Sequence, residues 1–253
     1  MRYAAVVAID LTKYEDGDSK VVADPEALRA RLGELQLAQI VHRKRAMILF
    51  EGWNGSGKRA ALRRLAGAWD PCFFATHGPA SDDERHWLAP YWASLPRPAT
   101  TALFHGSWYR HVADDRLAAR LTDKAWARRC DEINEYEAQQ RDDGTLLIKL
   151  FFHVTAEVQA ERLAERDADP WRRWLAADRR VTPTREIREG VWTDLLRRTD
   201  TRWAPWTVID ANGEGAGADA ALAAVAGAFE KALPLEPPGE SDTVVAMGQQ
   251  RAG

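Results

Sequence analysis

The stretch Gly52-Trp53-Asn54-Gly55-Ser56-Gly57-Lys58 combines residue types and spacing that point to phosphate chemistry. A glycine, four residues, a second glycine and a lysine let the backbone curl, because glycine tolerates positive φ at no steric cost. Several N–H groups can then converge on one oxyanion. A helix opening at Lys58 adds its positive end, and the lysine reaches terminal phosphates. Gly52, Gly55, Ser56, Gly57 and Lys58 are therefore the expected phosphate ligands, the Ser56 hydroxyl within touch of a phosphate. The alternative is a merely tight structural turn. Arg59 stands where the general pattern has the Ser or Thr that holds Mg²⁺.

A second candidate is the segment 162–202, with 11 arginines, no lysine and eight acidic residues. Arginine forks grip phosphate with two parallel hydrogen bonds. Arg166 and Arg173 are the expected clamps, with Arg63 behind the loop as a further phosphate ligand. The bland alternative is a solvated charged helix face. Trp171 and Trp174 could stack on a base, although packing is the expectation for Trp174. Other chemistries find less support. Ser56 and Ser107 lie in no nucleophile-elbow setting. His105 with His111, Cys72 or His77 has no zinc spacing. Asp114-Asp115 and Asp82-Asp83-Glu84 read as acidic residues at helix starts.

These residues need elements to position them. A continuous apolar run at 46–50, with similar runs at 72–75, 102–104, 146–152 and 206–209, reads as strands buried on both faces. Helical patterns lie between them, at 60–68, 87–94, 123–140, 156–166 and 184–198, with a last one at 218–232. Before them, Asp24 and Pro25 open a helix that ends near Arg43-Lys44-Arg45. Alternation of this kind predicts an α/β fold, a parallel five-stranded sheet sandwiched by helices, with ligands at the carboxyl ends of the strands. Residues 1–23 read as an irregular arm and 24–232 as one domain. Residues 233–253, rich in proline and small polar residues, read as a disordered tail.

Composition narrows the function. The 253 residues carry 35 Lys+Arg against 38 Asp+Glu, a net charge of -3, which argues against nucleic-acid binding by bulk positive charge. Two cysteines suit a reducing cytoplasm rather than a disulfide framework. No apolar run reaches membrane-span length, and residues 1–10 lack a signal-length core, so neither a membrane nor export is expected.

Read together, Phe50-Glu51-Gly52-Trp53, Gly57-Lys58, Arg63-Arg64-Leu65 and Asp70-Pro71 resemble the opening of the polyphosphate kinase 2 family. Ser107-Trp108-Tyr109, the run from Glu132 to Glu137, Asp143-Gly144-Thr145, Lys149, Phe152-His153, Asp169-Pro170, Arg173-Trp174 and Ala204-Pro205-Trp206 follow in the family's order. The likeness runs from about residue 27 to about 212. It implies a P-loop kinase of the thymidylate-kinase type whose helical lid is the arginine-rich segment. It further implies phosphoryl transfer between inorganic polyphosphate and nucleoside mono- or diphosphates, Mg²⁺ as cofactor, and a homo-oligomer.

This sequence departs from the family's pattern at the chemistry. Asn54 stands where the family has Asp within the loop, and His105-Gly106 where it has Asp-Arg. His111 and Leu175 replace an Arg and a Lys, and Gly213-Glu214 stands where a Lys is usual. Mg²⁺ prefers hard anionic oxygens, so the expected catalytic set is Lys58 and Glu51 with the substituted Asn54 and His105. Glu51 either faces the metal or pairs with an arginine. Three readings follow: a polyphosphate-dependent phosphotransferase, a degenerate phosphate-binding or partner subunit, or a kinase with another small acceptor.

Overall fold

The computed structural model describes residues 9–17, 22–79, 86–176, 184–213 and 215–239. Asp82-Asp83-Glu84, Arg179-Arg180, Glu214 and most of the expected tail lie outside the described residues. Five strands, β1 (Arg45–Gly52), β2 (Phe74–His77), β3 (Thr101–His105), β4 (Thr145–His153) and β5 (Trp206–Asp210), form one parallel sheet in the order β2-β3-β1-β4-β5. In register, β1 sets Ile48 opposite Leu103 on one side and Ile148 on the other. The chain leaves central β1 for the edge, returns beside it as β3, and crosses to the other flank as β4. A reversal of that kind leaves a crevice at the carboxyl end of β1.

The strands form where the apolar runs predict them. Residues 46–51 of β1 are all buried, as expected when helices cover both faces. The helices are α1 (Pro25–Val41), α2 (Lys58–Ala68), α3 (Ala89–Ala93), α4 (Trp108–Leu117), α5 (Asp123–Asp142), α6 (Ala156–Ala168), α7 (Pro170–Ala176), α8 (Arg185–Thr199) and α9 (Ala216–Ala232). One helical layer groups α1, α2 and α9; the other groups α4, α5 and α8. Asp24 caps α1 by accepting from the Ala27 N–H at 2.9 Å.

Some expectations move. The second strand begins at Phe74 rather than Cys72, because Asp70 accepts the Cys72 N–H with Pro71 beside it, winding Pro71–Phe73 into a 3₁₀ turn. Asp114 and Asp115 do not start a helix; they sit near the C-terminal end of α4, which Ser107 opens. Trp171 and Trp174 project from α7 at 86% and 77% exposure, so Trp174 does not pack as expected. Within the arm, Leu11–Tyr14 makes a 3₁₀ turn whose Leu11 is buried, and Asn212 donates to the Tyr14 carbonyl at 3.2 Å.

Candidate phosphate-binding site

β1 ends at Gly52 and α2 begins at Lys58, so the curl predicted from the glycines lies at the carboxyl end of the central strand. Gly52 has φ +124°, and a Cβ there would sit 2.2 Å from the Phe152 carbonyl oxygen; glycine is required for the strand to turn away so close to β4. Gly57 caps α2 at φ 85°, another left-handed conformation. Ser56 is buried, its N–H donates to the Trp53 carbonyl at 3.2 Å, and its hydroxyl has no hydrogen-bond partner. A buried hydroxyl left unpaired costs about 1–3 kcal/mol, a cost that a hydrogen-bond acceptor placed there would relieve.

Lys58 is buried and donates from Nζ to the carbonyl oxygens of Gly52 and Trp53, both at 2.6 Å. Burial lowers its pKa to about 7; the charge of Glu51 opposes the shift and that of Arg110 adds to it. Glu51 is buried and neither faces outward nor pairs with an arginine. Its Oε1 accepts from the Ser107 N–H at 2.6 Å and from the Ser107 hydroxyl at 2.7 Å. Burial raises the Glu51 pKa, partly offset by those two hydrogen bonds and by Lys58. The carboxylate thus ties the end of β1 to the first turn of α4, where an anion is favoured by the helix dipole.

Asn54 is exposed, and its backbone carbonyl accepts from Gln159 Nε2 at 2.8 Å. His105 closes β3 half-buried, and burial pushes its pKa down to about 4, helped by the charges of Lys58, Arg59 and Arg110. It is a neutral ring at pH 7. Arg63 points to solvent from α2. Arg166 is bound to its neighbour Asp167 at 2.7 Å, and Arg173 is exposed on α7. Neither expected clamp makes a hydrogen bond or ion pair to the loop among the described residues.

Other arginines of the same segment do support it. Arg162 donates to the carbonyls of Ala211 and Asn212 at 2.8 Å each, with a longer bond of 3.4 Å to the Gly55 carbonyl. Arg185 lies over the Trp53 ring, 4.2 Å from its centroid, and donates to Gln159 Oε1 at 2.6 Å and the Val154 carbonyl at 2.5 Å. Trp53 is buried, and its indole N–H donates to His153 Nδ1 at 2.9 Å. That bond makes Nδ1 the acceptor, so Nε2 carries the proton and faces Glu15 at 3.1 Å. Sequence spacing could not find these contacts, since Trp53 and His153 lie a hundred residues apart. Among the described residues no three His, Cys, Asp or Glu gather as a metal cluster.

Comparison with known proteins agrees with this architecture. Residues 16–231 match the family model described as Polyphosphate kinase 2 (PPK2). The polyphosphate:AMP phosphotransferase of Pseudomonas syringae pv. tomato is 29% identical over 237 residues, covering 90% of this chain and 46% of that protein. The chain spans less than half the length of that protein and of the polyphosphate:AMP phosphotransferase of Pseudomonas aeruginosa. Among solved structures, a candidate polyphosphate kinase 2 from Pseudomonas aeruginosa is similar at TM-score 0.74 and 28% identity, over 89% of this chain and 49% of that one. The polyphosphate kinase 2 of Arthrobacter aurescens TC1 shares the fold at TM-score 0.75 and 21% identity, over 98% of this chain and 93% of its own.

Proposed function

The chain belongs to the polyphosphate kinase 2 family, and we propose that it transfers phosphoryl groups between inorganic polyphosphate and nucleoside mono- or diphosphates. The observation that carries this reading is the state of the loop. A buried lysine is held by carbonyls that it can exchange for phosphate oxygens, beside a buried hydroxyl with nothing to bond. Phosphoryl transfer asks the protein chiefly for positioning and charge neutralisation. The loop N–H groups and the first turn of α2 would hold the terminal phosphate, Ser56 would donate to it, and Lys58 would neutralise the charge that develops there. Arg162, Gln159 and Arg185 hold the loop's backbone and Trp53, so its curl is set before substrate arrives.

Among the described residues, the donors at the loop do not fit a protein-held Mg²⁺. The ion wants hard oxygens in near-octahedral array. Glu51 is committed to Ser107, Asn54 offers at most a neutral oxygen, and His105 offers ring nitrogen. No step is therefore derived through a metal. The same donor set favours a second reading, a phosphate-binding or partner subunit that has lost turnover. Membership of the family also supports a homo-oligomer, for which α1 offers exposed Leu37 and Val41. A cytoplasmic setting belongs to the same proposal; among the described residues no helix is long and apolar enough to cross a membrane.

The test is turnover of polyphosphate with AMP or ADP, in Mg²⁺ or Mn²⁺, against Lys58→Ala. Nucleotide product above that control supports the transferase. Polyphosphate binding without product supports the binding subunit, and absence of both sinks the two readings together.

A further inference from the structure

Arg166 and Arg173 make no hydrogen bond or ion pair to the loop among the described residues; two other guanidinium groups stand on α4 and α8. Arg110 of α4 is the first. Its Cδ lies 3.2 Å from where a Cβ on Gly106 would stand, so its stem fills the space a side chain at that position would take. Its charge acts at once on Lys58, Glu51 and His105, which places it beside the loop. Its Nε lies 3.4 Å from Asp114 Oδ2.

Arg188 of α8 is the second. It is half-buried, and its Nε is buried with no hydrogen-bond partner. Burial lowers its pKa, and Asp114 is the opposite charge that counters the shift. Arg185, nearly one turn earlier on α8, covers Trp53 of the loop, and α4 and α8 pack together. Lys58, Arg110, Asp114 and Arg188 are therefore linked pair by pair between the loop and α8. An arginine Nε buried without an acceptor is costly, and a fork of that kind matches phosphate oxygens.

Resting on the phosphate-binding reading of the loop, we propose that Arg110 and Arg188 contact the inner phosphoryl units of a polyphosphate chain whose terminal unit lies at Lys58. The chain would supply the acceptor that Arg188 Nε lacks and would share Arg110 with its present partners, Asp114 among them. Pyrophosphate has only two phosphoryl units, which the loop would take, so it offers no inner units to Arg188. ADP ends in a nucleoside where long-chain polyphosphate carries further phosphoryl units.

Calorimetric titration of the full chain with pyrophosphate, ADP and long-chain polyphosphate tests this. Arg188→Gln is expected to weaken long-chain binding about tenfold, the scale of one charge-assisted contact, and to leave pyrophosphate within about twofold of wild type. Arg188→Lys should restore part of the loss. Asp114→Asn, which removes a competing anion, should tighten long-chain binding. If Arg188 only braces Asp114, Asp114→Asn would instead resemble Arg188→Gln. Unchanged long-chain binding in Arg188→Gln, or an equal loss for pyrophosphate or ADP, overturns the assignment. If wild type binds neither pyrophosphate nor polyphosphate, the reading of the loop falls first; if binding is lost in Lys58→Met but kept in Arg188→Gln, only the present assignment falls.

Discussion

Two lysines are buried among the described residues, and their surroundings differ in one respect that separates structure from function. Lys149, in the middle of β4, donates to Glu137 Oε2 at 2.9 Å, to the Tyr109 hydroxyl at 3.1 Å and to the Thr199 carbonyl at 2.7 Å. Glu137 is itself satisfied by the Tyr109 hydroxyl at 2.5 Å and the Trp108 indole N–H at 3.1 Å. That cluster joins β4 to α4, α5 and α8 and leaves the ammonium no free direction. Lys58 has no such carboxylate contact; it leans on two carbonyls of its own loop. A buried ammonium with its charge matched stabilises a particular packing, whereas one held by neutral acceptors is poised for an anion.

The largest effect should come from breaking the matched site. Lys149→Met strands Glu137 without its cation, and removing one partner of a buried pair costs about 3–5 kcal/mol. Urea unfolding should show that loss, while tripolyphosphate binding by the protein that remains folded stays near wild type. Lys58→Met should do the reverse. Stability should hold within about 1 kcal/mol of wild type, because no close ion pair is broken, and tripolyphosphate affinity should fall on the order of a hundredfold. Equal losses of stability from the two substitutions would erase the distinction.

A smaller effect is expected from pH. The ammonium of Lys58 titrates near 7 in the free protein, and a bound polyanion favours its charged form. Binding should therefore weaken as pH rises above 7, by up to tenfold per pH unit until the pKa of the complex is reached. In Lys58→Met that component should vanish. The smallest effect should be that of Ser56→Ala, which loses about fivefold in affinity while stability is unchanged or slightly raised, because the hydroxyl removed has no partner in the free protein. Thermal unfolding and titration of that variant check both signs.

What could be read from sequence follows the range of the interactions involved. The strands were legible because β1 and β4 are built on apolar runs, broken in β4 by Lys149, and the loop because its glycines sit between such a run and a helix. The first turn of α4 was not, since it depends on Ser107 being capped by Glu51 from a strand 56 residues earlier. Nor were the roles of the arginines. Arg166 and Arg185 are the same residue type in one charged segment, yet Arg166 turns to Asp167 and Arg185 to Trp53. Only tertiary packing decides between such partners. The exposure of Trp174 has a similar origin: the short helix α7 docks through α6 and leaves both its indoles outward.

In the proposed role, Lys58 is a buried amine that titrates near 7 in the free protein and is held as an ammonium when phosphate enters the loop. The most direct measurement is calorimetric titration with tripolyphosphate at pH 8, repeated in buffers of differing ionisation enthalpy, for wild type and Lys58→Met. Wild type is expected to take up close to one proton more than the variant on binding. Binding by wild type with the same proton uptake as Lys58→Met would contradict it.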